Sequence, residues 1–349
     1  MKVKTLELEL TTNCNASCPQ CTRNFYGGPT WPSLPIVSLS LDFLKTKLPV
    51  EFLKDLSILH LCGTFGDPCV HPDLIEIVKW FKSISDAKVV INTNGGMRTP
   101  TWWTELATVL TDNDKVTFGI DGLEDTNHLY RRGVNFKRLC ENVQAFNLAG
   151  GRSAWQFIAF EHNQHQVNAA KQLSKELGFS DFYVKKTTRF LNKRHELISE
   201  LPVVDNKKIY FIKPPSDNNL RNDGYDGFDK IDYKSVDIEC MAKQVSMLYI
   251  AADGYVFPCG FLADRMYGFE SENHSDYARL HELLEQAGGK EQANLHSTDL
   301  YSIINGGWFK AIEDSWHNEH RLERCAYMCK KNNTLVTDVN NFLAEQHQG

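Results

Sequence analysis

Short apolar runs alternate with amphipathic segments through the first half of the chain. Apolar or alternating runs typical of β-strands fall at residues 5–10, 57–62, 88–92, 116–120, 155–160 and 182–186. Segments with helical periodicity lie between them, at 40–48, 72–85, 99–110, 136–148 and 167–177. Repeated strand–helix units predict parallel strands covered by helices. Six units are too few for a full closed barrel, so the pattern predicts an α/β fold with a partial (β/α)6 TIM-like barrel over residues 1–190.

The pattern changes after about residue 190. Pro214-Pro215 and the Asp, Asn and Gly residues at 217–219 and 223–224 indicate a linker over residues 191–238. Two apolar runs then flank Ala252-Asp253-Gly254, which predicts a β-hairpin. We therefore expect a small α+β cysteine-rich module over residues 239–335 and a C-terminal tail over 336–349.

The composition is that of a folded, mildly acidic protein. Its 349 residues are 42% hydrophobic and 11% aromatic, which excludes disorder as the dominant state. The net charge of −6 argues against a nucleic-acid partner bound through bulk charge. We expect a cytoplasmic protein with no membrane partner, because neither a spanning segment nor the apolar core of a signal peptide is present. Ten cysteines in that compartment indicate metal binding or catalysis rather than disulfides.

Three cysteines follow the first predicted strand with the spacing C-x3-C-x2-C: Cys14, Cys18 and Cys21. Asn13 and Pro19 place them in a loop at the carboxyl end of a strand, where parallel α/β sheets carry their sites. Three thiolates satisfy three irons of a [4Fe–4S] cluster and leave the fourth iron open. A structural zinc site with a fourth ligand from elsewhere, such as His71, is the alternative.

This triplet, on a repeated strand–helix array, resembles the radical S-adenosylmethionine (SAM) superfamily. In that family the open iron chelates the amino and carboxylate groups of SAM, and reductive cleavage gives a 5′-deoxyadenosyl radical that abstracts hydrogen from substrate. The resemblance implies a SAM-binding [4Fe–4S] cluster and a flavodoxin- or ferredoxin-like electron donor. Gln20 departs from the family, which usually has an aromatic residue before the third cysteine, and this bears on adenine packing rather than on cluster ligation.

Segments after the next two strands add to the resemblance. The stretch from Gly63 to Pro68 resembles a Gly-Gly-Glu-Pro segment that lines the SAM amino group, although the same residue types also favour a plain turn. The segment Thr93-Asn94-Gly95, after the third predicted strand, resembles one that lies near the SAM ribose. Together they supply these candidate cofactor-binding residues: Gly66, Asp67, Pro68, Thr93, Asn94 and Gly95.

Two later segments complete the candidate SAM site. Asp121 and the stretch Tyr130-Arg131-Arg132-Gly133 resemble a family region whose arginine pairs with the SAM carboxylate. A guanidinium fits a carboxylate with two parallel hydrogen bonds, and the sequence leaves Arg131 and Arg132 as alternatives. Asn163, just after the fifth predicted strand, is the matching candidate near the adenine.

The C-terminal cysteines suggest a second metal site. Cys240 and Cys259 have the spacing C-x13-G-x4-C, and the predicted hairpin brings them together. Cys325 and Cys329 complete four thiolates, enough to saturate a [4Fe–4S] cluster. The arrangement resembles the opening of the SPASM and twitch modules, and the shorter twitch form fits better because a SPASM module needs more cysteines. A four-cysteine zinc ribbon is the alternative.

Other residues receive plainer interpretations. Cys62 and Cys69 bracket the Gly-Asp-Pro turn and are candidate catalytic residues, although free cysteine is also common in a core. Cys140 is expected in the core. The basic stretch of Lys185, Lys186, Arg189, Lys193 and Arg194 either meets an acidic substrate or forms a solvated linker.

The resemblance implies a radical SAM oxidoreductase-type enzyme and leaves its substrate open. The first hypothesis is oxidation, epimerisation or decarboxylation of a small polar metabolite that is a sugar, an aminocyclitol or nucleoside-like. It is preferred because a first strand near Thr5 leaves no room for an N-terminal peptide-recognition domain. The second hypothesis is side-chain oxidation, crosslinking or epimerisation of a peptide or protein. The third is a non-enzymatic iron–sulfur or zinc protein.

Overall fold

The structure, a computed structural model, describes residues 2–191, 197–205, 208–222, 235–267, 275–318 and 320–331. The predicted tail at 336–349 lies outside the described residues. The strands are β1 (Thr5–Leu8), β2 (Ile58–Leu61), β3 (Lys88–Thr93), β4 (Lys115–Gly119), β5 (Ser153–Ile158), β6 (Asp181–Lys185), β7 (Leu201–Asp205), β8 (Lys208–Ile212), β9 (Met247–Ile250) and β10 (Val256–Phe257). Eight of them form one sheet in the order β10-β9-β1-β2-β3-β4-β5-β6. Neighbours from β9 through β6 are parallel, and β10 runs antiparallel to β9.

The helices of the first half connect successive parallel strands. They are α1 (Leu41–Lys47), α2 (Val50–Lys54), α3 (Leu74–Lys82), α4 (Pro100–Val109), α5 (Asn127–Tyr130), α6 (Phe136–Leu148) and α7 (Val167–Glu176). Several begin at a side chain that accepts a hydrogen bond from a free backbone N–H of the first turn. Ser40 accepts from Phe43 N, and Asn135 accepts from Arg138 N. These caps fix where the chain leaves each strand and turns back.

The helices of the C-terminal part pack around the β9–β10 hairpin. They are α8 (Met241–Gln244), α9 (Gly260–Met266), α10 (Ser275–Gln286), α11 (Leu300–Ile304), α12 (Gly307–Ser315) and α13 (Glu323–Met328). Trp308 of α12 is fully buried and donates its indole N–H to the Val256 carbonyl oxygen at 2.8 Å. The hairpin and its helices therefore share one core.

Helices and sheet together bury an apolar layer on the outer face of the strands. Trp103 of α4 is fully buried and packs on Phe118 of β4, with ring centroids 5.2 Å apart. Phe146 of α6 completes this cluster at 6.0 Å from Trp103. β2 is buried along its whole length. Strands covered on both faces are near-continuously apolar, which is why these segments are recognisable in the sequence.

The structure confirms an α/β fold with a mostly parallel sheet, consistent with a partial barrel. It differs from the sequence-based expectation in two places. The β9–β10 hairpin adds to the barrel sheet through parallel pairing of β9 with β1, rather than standing apart. Residues 201–212, expected to belong to a linker, form the hairpin of β7 and β8. Pro202 within this hairpin is a residue that normally argues against a strand.

None of the helices in the described ranges is both long and apolar enough to cross a membrane.

Candidate active site

The loop between β1 and α1 carries Cys14, Cys18 and Cys21 and is held by backbone contacts. Arg23 Nε donates to the Thr12 carbonyl oxygen at 2.9 Å, and Cys21 N donates to the Cys18 carbonyl oxygen at 3.0 Å. The three thiols line one cavity of about 370 Å³. This cavity lies at the carboxyl ends of the parallel strands, where α/β folds place their ligands.

The loop after β2 packs against the cysteine loop so closely that only glycine fits. A Cβ on Gly66 would lie 1.8 Å from the carbonyl oxygen of Thr11 and 2.9 Å from that of Asn13. Asp67 N donates to the same Asn13 oxygen at 2.9 Å. In this structure the close approach that Gly66 permits is thus to the cysteine loop itself.

A buried carboxylate, Glu9, holds the loop after β2 through hydrogen bonds to its backbone. It accepts hydrogen bonds from Phe65 N at 2.6 Å and Gly66 N at 3.1 Å, and from the Tyr249 hydroxyl at 2.7 Å. Burial raises the pKa of Glu9 to about 7, against the lowering effect of these hydrogen bonds. The sequence analysis did not single out Glu9, because its environment depends on Tyr249 of a strand far away in the chain.

Asp67 connects the loops after β2 and β3. Its carboxylate accepts from Cys69 N at 2.9 Å, from the Thr93 hydroxyl at 2.9 Å and from Asn94 N at 2.8 Å. Asn94 in turn donates through Nδ2 to Asn15 Oδ1 at 2.9 Å and to Cys14 Sγ at 3.8 Å. Asp67, Thr93 and Asn94 all line the cavity, so the structure brings them beside the triplet.

Arg131 and Arg132 point to different places. Arg131 Nε donates to Asp121 Oδ2 at 2.6 Å, its Nη1 reaches Cys18 Sγ at 3.8 Å, and the residue lines the cavity. Arg132 instead binds Asp205 at 2.8 Å and the Tyr210 hydroxyl at 3.2 Å, on the β7–β8 hairpin. Of the two alternatives from the sequence, Arg131 is the one that lines this cavity.

Gly119 leaves the space that Arg131 occupies. A Cβ at this position would lie 2.3 Å from Arg131 Nη2. Asp121, fully buried, holds the guanidinium and also accepts from Ile158 N at 2.7 Å. Although burial opposes its charge, Asp121 contributes to a raised pKa of Arg131, so the guanidinium stays positive.

Four predicted cofactor residues do not line the cavity: Pro68, Gly95, Asp121 and Asn163. Asn163 is fully buried, and both ends of its amide bind backbone: Oδ1 accepts from Phe160 N at 2.6 Å, and Nδ2 donates to the Asp121 carbonyl oxygen at 2.9 Å. It therefore shapes the turn after β5. Gly95 has a positive φ of 69° and lies against Leu139 and Phe118.

The two candidate catalytic cysteines lie in different environments. Cys62 lines the cavity, whereas Cys69 is fully buried in the main hydrophobic core. His71, the alternative fourth ligand, uses both ring nitrogens for backbone contacts, with Leu39 O at 2.8 Å and Asp73 N at 3.1 Å. His71 is therefore not available to complete a zinc site on the triplet.

The cavity also has polar and cationic walls that the sequence analysis did not assign to it. The additional side chains include Asn92, Thr117, Gln156 and Arg189. Arg189 lies 5.9 Å from the centre of the Tyr130 ring; the sequence analysis placed it in a basic stretch. The polar residues within otherwise apolar strands were the available signal, since alternate strand positions share the inner face.

The four C-terminal cysteines also come together. Cys240, Cys259, Cys325 and Cys329 line one small cavity beside the hairpin. Cys329 N donates to the Cys325 carbonyl oxygen at 2.9 Å, within the turn that ends α13. The thiol of Cys329 is hydrogen-bonded to Cys240 and lowers the pKa of Cys240, while burial raises that of Cys259 to about 12.

The donor sets fit iron–sulfur clusters. The triplet leaves cavity space beside its three thiols, as a cluster with one open iron needs. The donors that approach Cys14 and Cys18, namely the Asn94 amide and the Arg131 guanidinium, suit negatively charged sulfur. Burial raises the pKa of the Cys21 thiol to about 11, so ligation requires the loss of bound protons. The four C-terminal thiols suit a closed coordination shell.

Comparison with known proteins agrees with the fold. Residues 8–163 match the family model described as the Radical SAM superfamily, so this part of the chain is a radical SAM domain. The anSMEcpe structure, solved with AdoMet and the Cp18Cys peptide, is 13% identical with a TM-score of 0.50, and the match covers 97% of this chain and 95% of that one. At this identity the likeness shows the fold alone.

Two further solved structures are similar at lower scores. Streptococcus suis SuiB is 14% identical with a TM-score of 0.48, and the match covers 77% of this chain and 62% of SuiB, less than two thirds of its length. BtrN in complex with AdoMet and 2-DOIA is 12% identical with a TM-score of 0.44, covering 93% and 92%.

Proposed function

We propose that this protein is a radical SAM enzyme that reductively cleaves SAM at a cluster on Cys14, Cys18 and Cys21. The observation that carries the proposal is the convergence of these thiols on one cavity at the carboxyl ends of the strands. Cys14, Cys18 and Cys21 would hold a [4Fe–4S] cluster, which would supply the single electron needed to split SAM into methionine and the hydrogen-abstracting 5′-deoxyadenosyl radical. A flavodoxin- or ferredoxin-like protein is the proposed electron donor.

The residues around the cavity have distinct roles in this proposal. Arg131 binds the SAM carboxylate, because its Nε is held by Asp121 and the residue lines the cavity beside Cys18. Asp67 acts as a positioning residue, since its carboxylate is already saturated by Thr93, Asn94 and backbone N–H groups.

We propose a small polar metabolite as substrate. Asn92, Thr117 and Gln156 give the inner wall uncharged polar groups that can hydrogen-bond hydroxyl or amino groups. Oxidation, epimerisation and decarboxylation are all compatible with hydrogen abstraction, and a peptide substrate is the alternative that the experiment below distinguishes.

We further propose a twitch-type auxiliary [4Fe–4S] cluster on Cys240, Cys259, Cys325 and Cys329. Four thiolates close the shell, so this cluster would bind neither SAM nor substrate. Its role would be to hold the hairpin region together and to accept an electron from a substrate radical. The convergence of the four thiols on one cavity supports this proposal.

The test is SAM cleavage by protein purified and reconstituted without oxygen. With SAM and dithionite, the wild type should form 5′-deoxyadenosine and hold about eight irons per chain, four per cluster. The Cys14→Ala/Cys18→Ala/Cys21→Ala variant should keep about four irons and form no 5′-deoxyadenosine. Continued formation by this variant would refute the proposal.

The substrate class is tested with the same preparation. A cell extract freed of SAM is separated into a small-molecule fraction and a peptide fraction, and each is incubated with the enzyme, SAM and dithionite. Only the small-molecule fraction should increase 5′-deoxyadenosine formation. Stimulation by the peptide fraction alone would instead support the peptide alternative. Stoichiometric zinc in place of iron at the C-terminal thiols would refute the electron-acceptor role.

A further inference from the structure

The inner face of β1 and β2 carries a second group of metal-ligating side chains, separate from the seven cluster cysteines. Glu7 of β1 and His60 of β2 are register partners, and Cys62 follows on the same face two residues after His60. One ligand atom from each of the three residues lies within 4.8 Å of the other two. His60 Nδ1 is 3.3 Å from Glu7 Oε1.

These distances suit one small cation. Zinc binds imidazole nitrogen and carboxylate oxygen at about 2.0–2.2 Å, so two such donors in a tetrahedral shell lie about 3.4 Å apart. A thiolate at about 2.3 Å from the metal would lie about 3.6 Å from the nitrogen. The donors of Glu7 and His60 already have this separation, and Cys62 needs only a short movement.

The charges at this place favour a cation. The side chains of Glu7 and His60 are 18% and 8% exposed. In the described part of the chain, the Glu7 carboxylate lies against the His60 ring and forms no ion pair with a lysine or arginine. A half-buried carboxylate without a cationic partner is costly, and a divalent ion would offset that cost.

Asn92 provides the outer contact that a ligating histidine needs. Its Nδ2 lies 2.9 Å from His60 Nε2, while its Oδ1, although buried, has no hydrogen-bond partner. Rotation of the amide by half a turn places Oδ1 against Nε2, which then carries the proton. Nδ1 becomes free to bind metal, and the amide oxygen fixes the ring, as outer partners of metal-bound histidines do.

We propose that Glu7, His60 and Cys62 bind one divalent ion of the zinc class at the base of the cavity. A mixed nitrogen, oxygen and sulfur donor set suits zinc. Cys62 and Asn92 line the cavity, so the fourth position faces it and can take a substrate hydroxyl or carboxylate oxygen. Binding releases the thiol proton of Cys62. The site goes beyond the proposed SAM cleavage and does not depend on it.

The test uses full-length protein with its clusters reconstituted, loaded with zinc chloride and desalted in the presence of a weak chelator. We expect about one zinc per chain, and zinc K-edge X-ray absorption, which is blind to the iron, should give one sulfur at about 2.3 Å and otherwise nitrogen or oxygen. Cys62→Ser should remove the sulfur shell. Glu7→Gln and His60→Gln should each weaken zinc binding at least tenfold.

Cys140→Ser, which alters a helix cysteine away from this group, is the matched control and should retain the zinc. Iron content equal to that of the wild type shows that a variant is folded. If His60→Gln loses iron, the proposal is tested with the near-isosteric variants Glu7→Gln and Cys62→Ser, which are the two deciding variants. Three outcomes would overturn the proposal: no zinc on the desalted wild type, a shell of three or four sulfurs, or zinc retained by both deciding variants.

Discussion

At the scale of single residues, the site depends on charged groups whose partners are built into the fold. Arg131 is held by Asp121 on one side, and the absence of a side chain at Gly119 leaves it room on the other. Its neighbour Arg132 has the same chemistry but is used on the β7–β8 hairpin. Of these two adjacent arginines, Arg131 therefore lines the cavity and Arg132 contacts the hairpin.

The first prediction concerns these two arginines. Arg131→Gln should raise the Kd for SAM at least tenfold on cluster-loaded protein, because a hydrogen bond to a charged group contributes about 1.5–3 kcal/mol. Arg132→Gln is the matched control and should change the Kd less than twofold while weakening the hairpin contact with Asp205. Equilibrium dialysis with labelled SAM measures both. Equal losses in the two variants would contradict the assignment of Arg131.

The second prediction concerns Glu9, whose pKa is raised by burial to about 7. Because the folded state holds this proton more tightly than the unfolded state, stability falls as pH rises from about 5 to 8. The pKa shift corresponds to about 3 kcal/mol at about 1.4 kcal/mol per unit. Glu9→Gln should therefore remove this fall, and urea denaturation at several pH values measures it.

The control for Glu9 is Glu51→Gln, which alters an exposed glutamate of α2. It should leave the pH dependence of the wild type intact. A Glu9→Gln variant whose stability still falls from pH 5 to pH 8 as steeply as the wild type would show that another group carries the dependence.

At the scale of elements, the loops after β1 and β2 interlock through backbone. Gly66 lies against Thr11 and Asn13, and Asp67 N binds Asn13 O. Asp67 then extends the contact to Thr93 and Asn94 after β3. The cysteine loop is consequently held by its neighbours along the sheet rather than by its own residues alone.

The third prediction tests this interlock with Gly66→Ala. The new Cβ would lie 1.8 Å from a backbone oxygen, which cannot move aside as a side chain can. We expect a loss of at least about 3 kcal/mol in stability and a fall in iron bound at the triplet. Thermal denaturation and iron analysis measure these changes.

Gly307→Ala is the control, because its Cβ would meet only ordinary contacts at 3.4 Å or more and it lies at the start of α12. This variant should be as stable as the wild type or more stable. Similar losses in both glycine variants would show that the close approach at Gly66 has no special cost.

The sequence predicted those elements correctly whose start and end depend on residues close together in the chain. α6 spans Phe136–Leu148 as expected, because Asn135 caps its start and the apolar face of the helix is continuous. The β9–β10 hairpin was likewise confirmed through its Asp-Gly turn. β7 was missed because Pro202 argues against a central strand, whereas β7 is an edge strand of a two-stranded sheet, where proline is tolerated.

The site was predictable only in part for the same reason. The cysteine spacing indicated the triplet, but the positions of Asn92 and Gln156 depend on which strand face is concave, and Arg189 lies in a turn after β6. Glu9 and Tyr249 lie 240 residues apart in the chain and meet only after folding. Such contacts leave no local pattern, so Glu7 and His60 also stayed unassigned within apolar strands.

At the scale of the whole molecule, the C-terminal region is continuous with the barrel. β9 pairs with β1 from Thr5 against Met247 to Leu8 against Ile250, and Glu9 N donates to the Ile250 carbonyl oxygen at 2.9 Å. The Tyr249 hydroxyl reaches from β9 to Glu9 and to Thr64, which lines the cavity. The four C-terminal cysteines thus lie beside a hairpin whose first strand contacts the wall of the cavity.

The fourth prediction follows from this continuity. Cys325→Ser removes one of the four thiols and should loosen the region that docks β9, since metal ligation contributes to the folding of such regions. Hydrogen exchange in the peptide covering residues 4–9 should become at least tenfold faster, because part of the β1 amide hydrogen bonding goes to β9. The peptide covering 115–119 in β4 should exchange at the wild-type rate, since β4 pairs with β3 and β5. Unchanged exchange in both peptides would mean that the C-terminal thiols do not support the barrel, and faster exchange in both would mean that the loss spreads through the whole sheet rather than along the β1–β9 edge.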